Sequence, residues 1–301
     1  MPSFEELILS EEKNKIVSGT LYLIATPIGN LADISARALK TLCGVDFIAA
    51  EDTRNAQKLL SCFHLPSKEC VSYFEHNKRE KGEYILSRLQ AGESCALITD
   101  AGTPAISDPG EDLVRLCSEN GVAVTAVPGC CAAINALSLS ALSTKRFAFE
   151  GFLSPNAGER RRKLEALRFE ERTLIFYEAP HKLRATLSDL FSAFGDRKIA
   201  LCREMTKLNE EIKRTTLDEA VRYYTENAPR GEYVLIIDGT DALSPEDRPV
   251  KEMSAQEQSL SDEERVAYYE GKGLSRMDAI KAAAKDIGVS KSELYRKLNL
   301  K

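Results

Sequence analysis

The chain has 301 residues, 43% of them apolar and 29% charged, with a formal charge of -5 at pH 7. At roughly 100–200 residues per domain the length accommodates two cores, and the composition is that of a soluble globular protein. No apolar run approaches the ~20 residues that span a bilayer, the acidic start "MPSFEELILSEEKNKIVSG" excludes a secretion signal, and the negative balance argues against indiscriminate nucleic-acid binding.

Taken in chain order, residues 20–142 repeat one pattern of apolar run, turn and amphipathic stretch. "TLYLIA", "DFIAAE", "CALITD" and "VAVTAV" have strand length, and "SARALKTLC", "RNAQKLLSCF" and "EYILSRLQAG" read as helices between them. A helix between successive strands favours parallel pairing with crossover connections, hence an α/β first domain. "DPGEDLVRLCSENG" reads as a further helix, with Asp108 near its N-cap, Pro109 at its first position and Gly121 at its end. "VPG" at 127–129 breaks the pattern, and the small-residue helix "CCAAINALSLSAL" follows. A second α/β set then runs through "RFAFEGFL", the basic helix "ERRRKLEALRF", "RTLIFYE", "HKLRATLSDLFSAFG", "KIALCRE" and "GEYVLIID". The four consecutive cations at 160–163 read by default as a solvated helix face.

Beyond Gly239 the chain changes character. Residues 241–270 carry three Lys/Arg against nine Asp/Glu, and residues 271–301 carry eight against three. This sign change marks an acidic linker followed by a separate basic unit. The expected layout is an N-terminal α/β domain over 19–127, a second over 128–240, a linker over 241–262 and a helical basic tail over 263–301. In the tail, "AIKAAAKDIGVSKSELYRKL" fits a helix-turn-helix whose second helix carries Lys291, Arg296 and Lys297, suited to phosphates. A helical hairpin used for packing or dimerisation is the alternative.

The eight cysteines form no C-x-x-C pair and several sit in apolar runs, which reads as reduced thiols in the cytoplasm, with no metal site. His64, His76 and His181 lack metal-ligand spacing. Four Gly- or Pro-rich turns follow strand ends: "ATPIGNLADIS", "TDAGTPAISDPG", "VPGCCAA" and "FYEAPHK". In a parallel sheet the strand C-termini share one edge, where ligands bind. Spacing alone does not name the ligand.

The runs "GTLYLIATPIGNLADISARAL", "AEDTR", "TDAGTPAISDPG", "VPGCCAAINAL", "FYEAPHKL", "REMTKLNEE" and "GEYVLIIDG" occur in the order seen in one family. The sequence resembles the tetrapyrrole-methylase superfamily over residues 19–239, and within it the members that methylate the ribose 2'-oxygen of a cytidine in small-subunit (16S) ribosomal RNA. The basic tail matches those members too. The resemblance implies two α/β domains with S-adenosylmethionine in the cleft between them, a homodimer, and small-subunit rRNA or the assembled small subunit as partner. It also implies cofactor contacts at Pro27, Gly102, Thr103, Pro104, Ile106, Cys131, Ala132 and Tyr177. Cys131 and Ala132 follow "PG" where the family usually has Ser or Thr beside a small residue, and a thiol is the weaker donor.

Methyl transfer to a hydroxyl needs alignment and removal of a proton from a weak acid. Charged groups suited to that lie in "AEDTR" (Glu51, Asp52, Arg54) and "REMTK" (Arg203, Glu204, Lys207). Glu51 resembles the proton-accepting carboxylate of the porphyrin-methylating relatives. The same charges also suit pairing across the cleft or holding RNA phosphates. Two other readings stand beside rRNA methylation: a corrin or porphyrin methyltransferase, and a non-catalytic nucleic-acid-binding regulator on the same fold.

Overall fold

A computed structural model describes residues 15–240, 260–271, 274–287 and 289–299. The chain divides into two units, Met1–Ala242 and Leu243–Lys301. The acidic stretch expected to be a linker lies outside the described residues over 241–259.

The first unit holds two five-stranded sheets. Strands β1 (Thr20–Ile24), β2 (Phe47–Ala50), β3 (Glu69–Ser72), β4 (Cys95–Ile98) and β5 (Ala123–Val127) form the first, in the order β3-β2-β4-β1-β5. All its pairings are parallel. Helices α1 (Ala36–Gly44), α2 (Thr53–Cys62), α3 (Lys78–Gln90) and α4 (Glu111–Glu119) make the crossovers. Leu21, Phe47, Ala49 and Leu97 enter one apolar cluster, while Tyr22, Ile24, Ile48 and Ile98 enter another. This alternation puts a core on each face, which explains why β2 and β4 are buried at every residue.

The second sheet contains β6 (Phe147–Phe152), β7 (Thr173–Glu178), β8 (Lys198–Arg203), β9 (Glu211–Thr216) and β10 (Tyr233–Ile237), in the order β6-β7-β10-β8-β9. It is mixed, because β10 runs antiparallel to both its neighbours and β9 antiparallel to β8. Helix α5 (Ala132–Leu139) leads into it, followed by α6 (Ala157–Ala166), α7 (Pro180–Phe194) and α8 (Leu217–Glu226). Ala133, Ala136 and Leu137 of α5 pack on Ile175, Ala200, Val234 and Ile236. Small residues on α5 let the helix lie close to the strands.

Three features depart from the sequence reading. Helix α4 begins at Glu111 behind an N-cap at Gly110, whose φ is +143°, so Asp108 and Pro109 precede it. Gly110 cannot carry a side chain, because a Cβ there would stand 2.9 Å from Leu97 Cδ2 and 3.2 Å from Ala105 Cβ. Strands β3 and β9 and helix α8 are additional elements. Both strands lie at sheet edges, where half-exposure removes the apolar signal. Helix α8 does carry a start signal: Thr216 Oγ1 accepts from Glu219 N at 3.4 Å, the first half of a capping box. The basic run is not one solvated face either. Arg160 is buried against Asp189 at 2.6 Å, Arg161 reaches the same carboxylate at 3.0 Å, and Lys163 pairs with Glu150.

The second unit contains α9 (Asp262–Gly271), α10 (Arg276–Asp286) and α11 (Lys291–Asn299). Val266, Ala279, Ile280, Ala283, Ala284 and Leu294 form its core. Lys281, Lys291, Arg296 and Lys297 are exposed. Ser290 starts the last helix, its hydroxyl accepting from Glu293 N at 3.2 Å.

One buried cation ties the end of the second sheet away from its β7 and β8 C-termini. Arg197 is 1% exposed, and its guanidinium donates to the carbonyls of Phe194, Asp238 and Arg168 at 3.2, 3.4 and 2.6 Å. Burial lowers its pKa to about 10, which still leaves it charged at neutral pH. Arg197→Met removes the donors and keeps the stem. Three orphaned carbonyls at ~1 kcal/mol or more each predict a melting point lower by roughly 6–12 °C. Calorimetric melting of the two proteins checks it, and an unchanged midpoint contradicts it.

Candidate active site

The C-terminal ends of β1, β2, β4 and β5 share one edge because all four run parallel. The C-terminal ends of β7 and β8 lie beside the start of β10, as the register Tyr233↔Glu178 and Tyr233↔Arg203 requires. Loops from the two edges enclose a cleft of about 450 Å³, within the roughly 300–1,000 Å³ usual for small-molecule sites.

The "TDAGTPAISDPG" loop forms one wall. Gly102 has φ +88°, Ala105 +68° and Ser107 +59°. Left-handed backbone at alanine and serine is uncommon, and surrounding contacts must hold it. Thr26 and Gly102 do so by exchanging both backbone hydrogen bonds, at 2.9 and 3.1 Å. Thr103 Oγ1 donates to Cys130 O at 2.8 Å, tying the loop to the "VPGCC" turn. A Cβ on Gly102 would meet nothing nearer than Ile28 Cγ2 at 3.5 Å, so its dihedral angle, rather than space, selects glycine.

The second wall centres on Tyr177. Its ring packs edge-on against Phe149 and Phe152 at 5.1 and 5.5 Å, and its hydroxyl accepts from Ala133 N at 3.2 Å. Burial, with the Cys131 thiol nearby, pushes the phenol up to about 12, so the hydroxyl stays protonated. Glycines let the two halves meet. A Cβ on Gly151, φ +64°, would stand 2.8 Å from Ser107 Oγ, and one on Gly29 would fall on Lys207 Cγ.

Carboxylates concentrate here. Glu51, Asp100 and Asp108 all line the cleft. Burial raises the Glu51 pKa, with Asp100 adding repulsion. Burial raises Asp108 to about 6, with Glu51 and Asp100 contributing. Lys207 pairs with Glu204 at 2.9 Å and Glu232 at 2.8 Å. Burial alone would lower its pKa, and the two carboxylates outweigh that and raise it.

Of the residues singled out in the sequence, Glu51, Lys207, Gly102, Thr103, Ile106, Cys131, Ala132 and Tyr177 line this cleft. Pro104 is buried and does not line the cleft. Pro27 and Asp52 line an adjoining hollow instead. Asp52 caps α2 through Arg54 N at 2.8 Å and pairs with the Arg54 guanidinium at 2.6 Å. Arg203 pairs with Glu211 at 3.0 Å, and Glu204 accepts from Glu232 N at 3.0 Å. The sequence reading did not place Asp100, Asp108, Phe152, Glu178, Met205 or Glu232 at the site. Asp100 and Asp108 flank the glycine loop, and that bracketing was the available signal.

Two sheets whose strand-end loops close on one cleft define the tetrapyrrole-methylase fold. Residues 20–221 match the family described as Tetrapyrrole (Corrin/Porphyrin) Methylases, and the chain belongs to it. It is 47% identical, over 92% of its length and 96% of the relative's, to Ribosomal RNA small subunit methyltransferase I of Synechocystis sp.. With the protein of that name from Bacillus subtilis it shares 42% identity, over 94% and 95% of the two chains. Among solved structures, a cobalt precorrin-4 methyltransferase superposes with TM-score 0.55 at 18% identity, over 73% of this chain and 95% of that one. Uroporphyrin-III C-methyltransferase from Thermus thermophilus, complexed with S-adenosyl homocysteine, gives 0.52 at 17%, over 73% and 97%. These two likenesses show the fold.

Within the carboxylate cluster, Asp108 contributes a pH dependence of definite sign. Asp108 titrates near 6 when folded against 3.8 for an ordinary aspartate, so folding takes up a proton between those values. The Asp108 contribution to stability therefore falls as pH rises from about 4 to 6, and its penalty is complete above that window. Asp108→Asn is expected to melt above the parent at pH 8, with the gap narrowing at pH 4. Melting curves at the two values test this, and a gap that is equal at both contradicts it.

Proposed function

We infer that this chain transfers a methyl group from S-adenosylmethionine to the ribose 2'-oxygen of a cytidine in the decoding region of small-subunit (16S) ribosomal RNA. The observation that carries the reading is its similarity, over nearly the whole of both chains, to relatives named Ribosomal RNA small subunit methyltransferase I. The cleft suits the cofactor chemically. S-adenosylmethionine carries a sulfonium and an ammonium, and Glu51, Asp100 and Asp108 put negative charge around a partly apolar space. Backbone groups of Gly102, Thr103, Cys131 and Ala132, with Ile106 and Tyr177, are the residues that would hold it.

When bound, the cofactor supplies an electrophilic methyl group. The protein aligns the hydroxyl and removes its proton. Glu51 is the group we assign to that proton, because burial makes its carboxylate a stronger base than an exposed one. Lys207, held charged by Glu204 and Glu232, places a cation at the opposite wall, where it offsets charge developing on the oxygen. Arg203 and Glu204 position these groups or their loops, and Asp52 caps α2 at the border of the adjoining hollow.

The basic second unit carries the RNA part of the reading. Its exposed Lys281, Lys291, Arg296 and Lys297 suit phosphate contacts. A helix cannot enter the deep, narrow major groove of duplex RNA, so these contacts supply affinity and placement. The family resemblance further implies a homodimer, and the eight free cysteines accord with the reducing cytoplasm.

Labelled S-adenosylmethionine incubated with small ribosomal subunits from cells lacking such an enzyme tests the assignment. Label should appear in an alkali-stable dinucleotide, since a 2'-O-methyl group blocks hydrolysis of its phosphodiester. Glu51→Gln should lower turnover by about 10²–10⁴-fold, the usual contribution of a general base, with cofactor affinity little changed. Reversing Lys291, Arg296 and Lys297 to Glu should raise KM and flatten the salt dependence of subunit binding. Label on a base, or on no RNA at all, contradicts the assignment.

A further inference from the structure

Beside the cleft lies a second hollow of about 210 Å³, and Asp100 belongs to both. The hollow sorts its lining by chemistry. Pro27, Leu31 and Leu59 are apolar walls, and the buried Ala50, Ala56 and Ile98 make the floor. Leu31 is 49% exposed, an uncovered leucine at a polar rim. Asn55 Nδ2 donates to Asp100 Oδ2 at 3.0 Å. A second amide hydrogen and the amide oxygen of Asn55 remain for a ligand. Asn55, Lys58, Leu59 and Cys62 recur at helical spacing along α2 and all four border the hollow. Lys58 stands exposed at its edge.

Apolar walls, an amide–carboxylate pair and a cation match the parts of a nucleotide: base face, base edge and phosphate. We propose that this hollow seats the pyrimidine base of the target nucleotide, with Asn55 and Asp100 reading its edge and Lys58 meeting an adjoining phosphate. The proposal rests on the ribose-methylation reading and specifies how that activity selects its base. Enzymes that modify a base take it out of the stack and read its Watson–Crick edge, and an unstacked cytosine presented to the hollow is read in the same way. Cytosine offers an amino donor at N4 to the Asp100 carboxylate, and acceptors at N3 and O2 to an Asn55 N–H. Uracil presents an oxygen where cytosine has the amino group, so a carboxylate there repels it. The shared Asp100 explains the geometry: a base in the hollow leaves its ribose on the side of the cleft, where Glu51 lies one residue before Asp52 of the hollow.

The test uses the full chain, with small ribosomal subunits reconstituted from transcribed RNA carrying cytidine or uridine at the position the parent enzyme methylates. Asn55 is exposed, so Asn55→Leu fills the hollow without disturbing the core. It should raise KM for subunits about five- to a hundred-fold, while calorimetry shows S-adenosylmethionine affinity within about two-fold of the parent. Lys58→Ala, also on an exposed position, should raise KM less and reduce the salt slope. Asp100→Asn should shrink the preference for cytidine over uridine about five-fold or more. Asn55→Leu with the parent's KM and base preference overturns the proposal. Loss of cofactor affinity in that variant overturns it too, by giving the hollow to the cofactor. A parent chain that methylates no subunit overturns the underlying reading instead, so the two failures are distinguishable.

Discussion

The exchange of two backbone hydrogen bonds between Thr26 and Gly102 is the constraint on which the site depends. It joins the loops after β1 and β4, neighbours in the sheet, so the strand ends cannot splay apart. With those loops fixed, the chain from Gly102 to Gly110 must turn repeatedly in left-handed conformations. The cost of such backbone, of order 1–3 kcal/mol at each non-glycine residue, is met by the surrounding packing. The result is a wall of backbone groups in which Asp108 lines a half-buried cleft rather than capping a helix.

The second sheet gives that wall something to close against. Tyr177 reaches the start of α5 through Ala133 N, and Gly29 and Gly151 remove the side chains that would hold the halves apart. Charge is then divided across the cleft. The first sheet contributes carboxylates without cations of their own in the cleft, while the second contributes Lys207 already balanced by Glu204 and Glu232. On the proposed reading, the carboxylates favour a cationic methyl donor, and the Lys207 ammonium offsets charge developing on the attacked oxygen.

Much of this was legible in the sequence, for identifiable reasons. The fully buried strands, the crossover helices and the glycine-rich strand ends carry strong local patterns, and the order of motifs carried the family. Two of the four edge strands were illegible, because "ECVS" and "EIKRTT" are half exposed and carry little apolar signal, whereas the edge strands β5 and β6 keep apolar runs. Asp108 was misplaced because Asp-Pro-Gly before an amphipathic run is also how a helix begins. The adjoining hollow was hidden for another reason. Asn55, Lys58 and Leu59 read as one face of an ordinary amphipathic helix until the fold set Leu31 and Asp100 beside them.

Hydrogen exchange in the presence and absence of S-adenosyl homocysteine tests the central claim, that both walls close on one cofactor. Amides of residues 100–108, 130–133 and 177–179 should gain protection together, while those lining only the adjoining hollow, such as Leu31 and Leu59, should not. Protection confined to the hollow, or to one wall alone, would contradict the account.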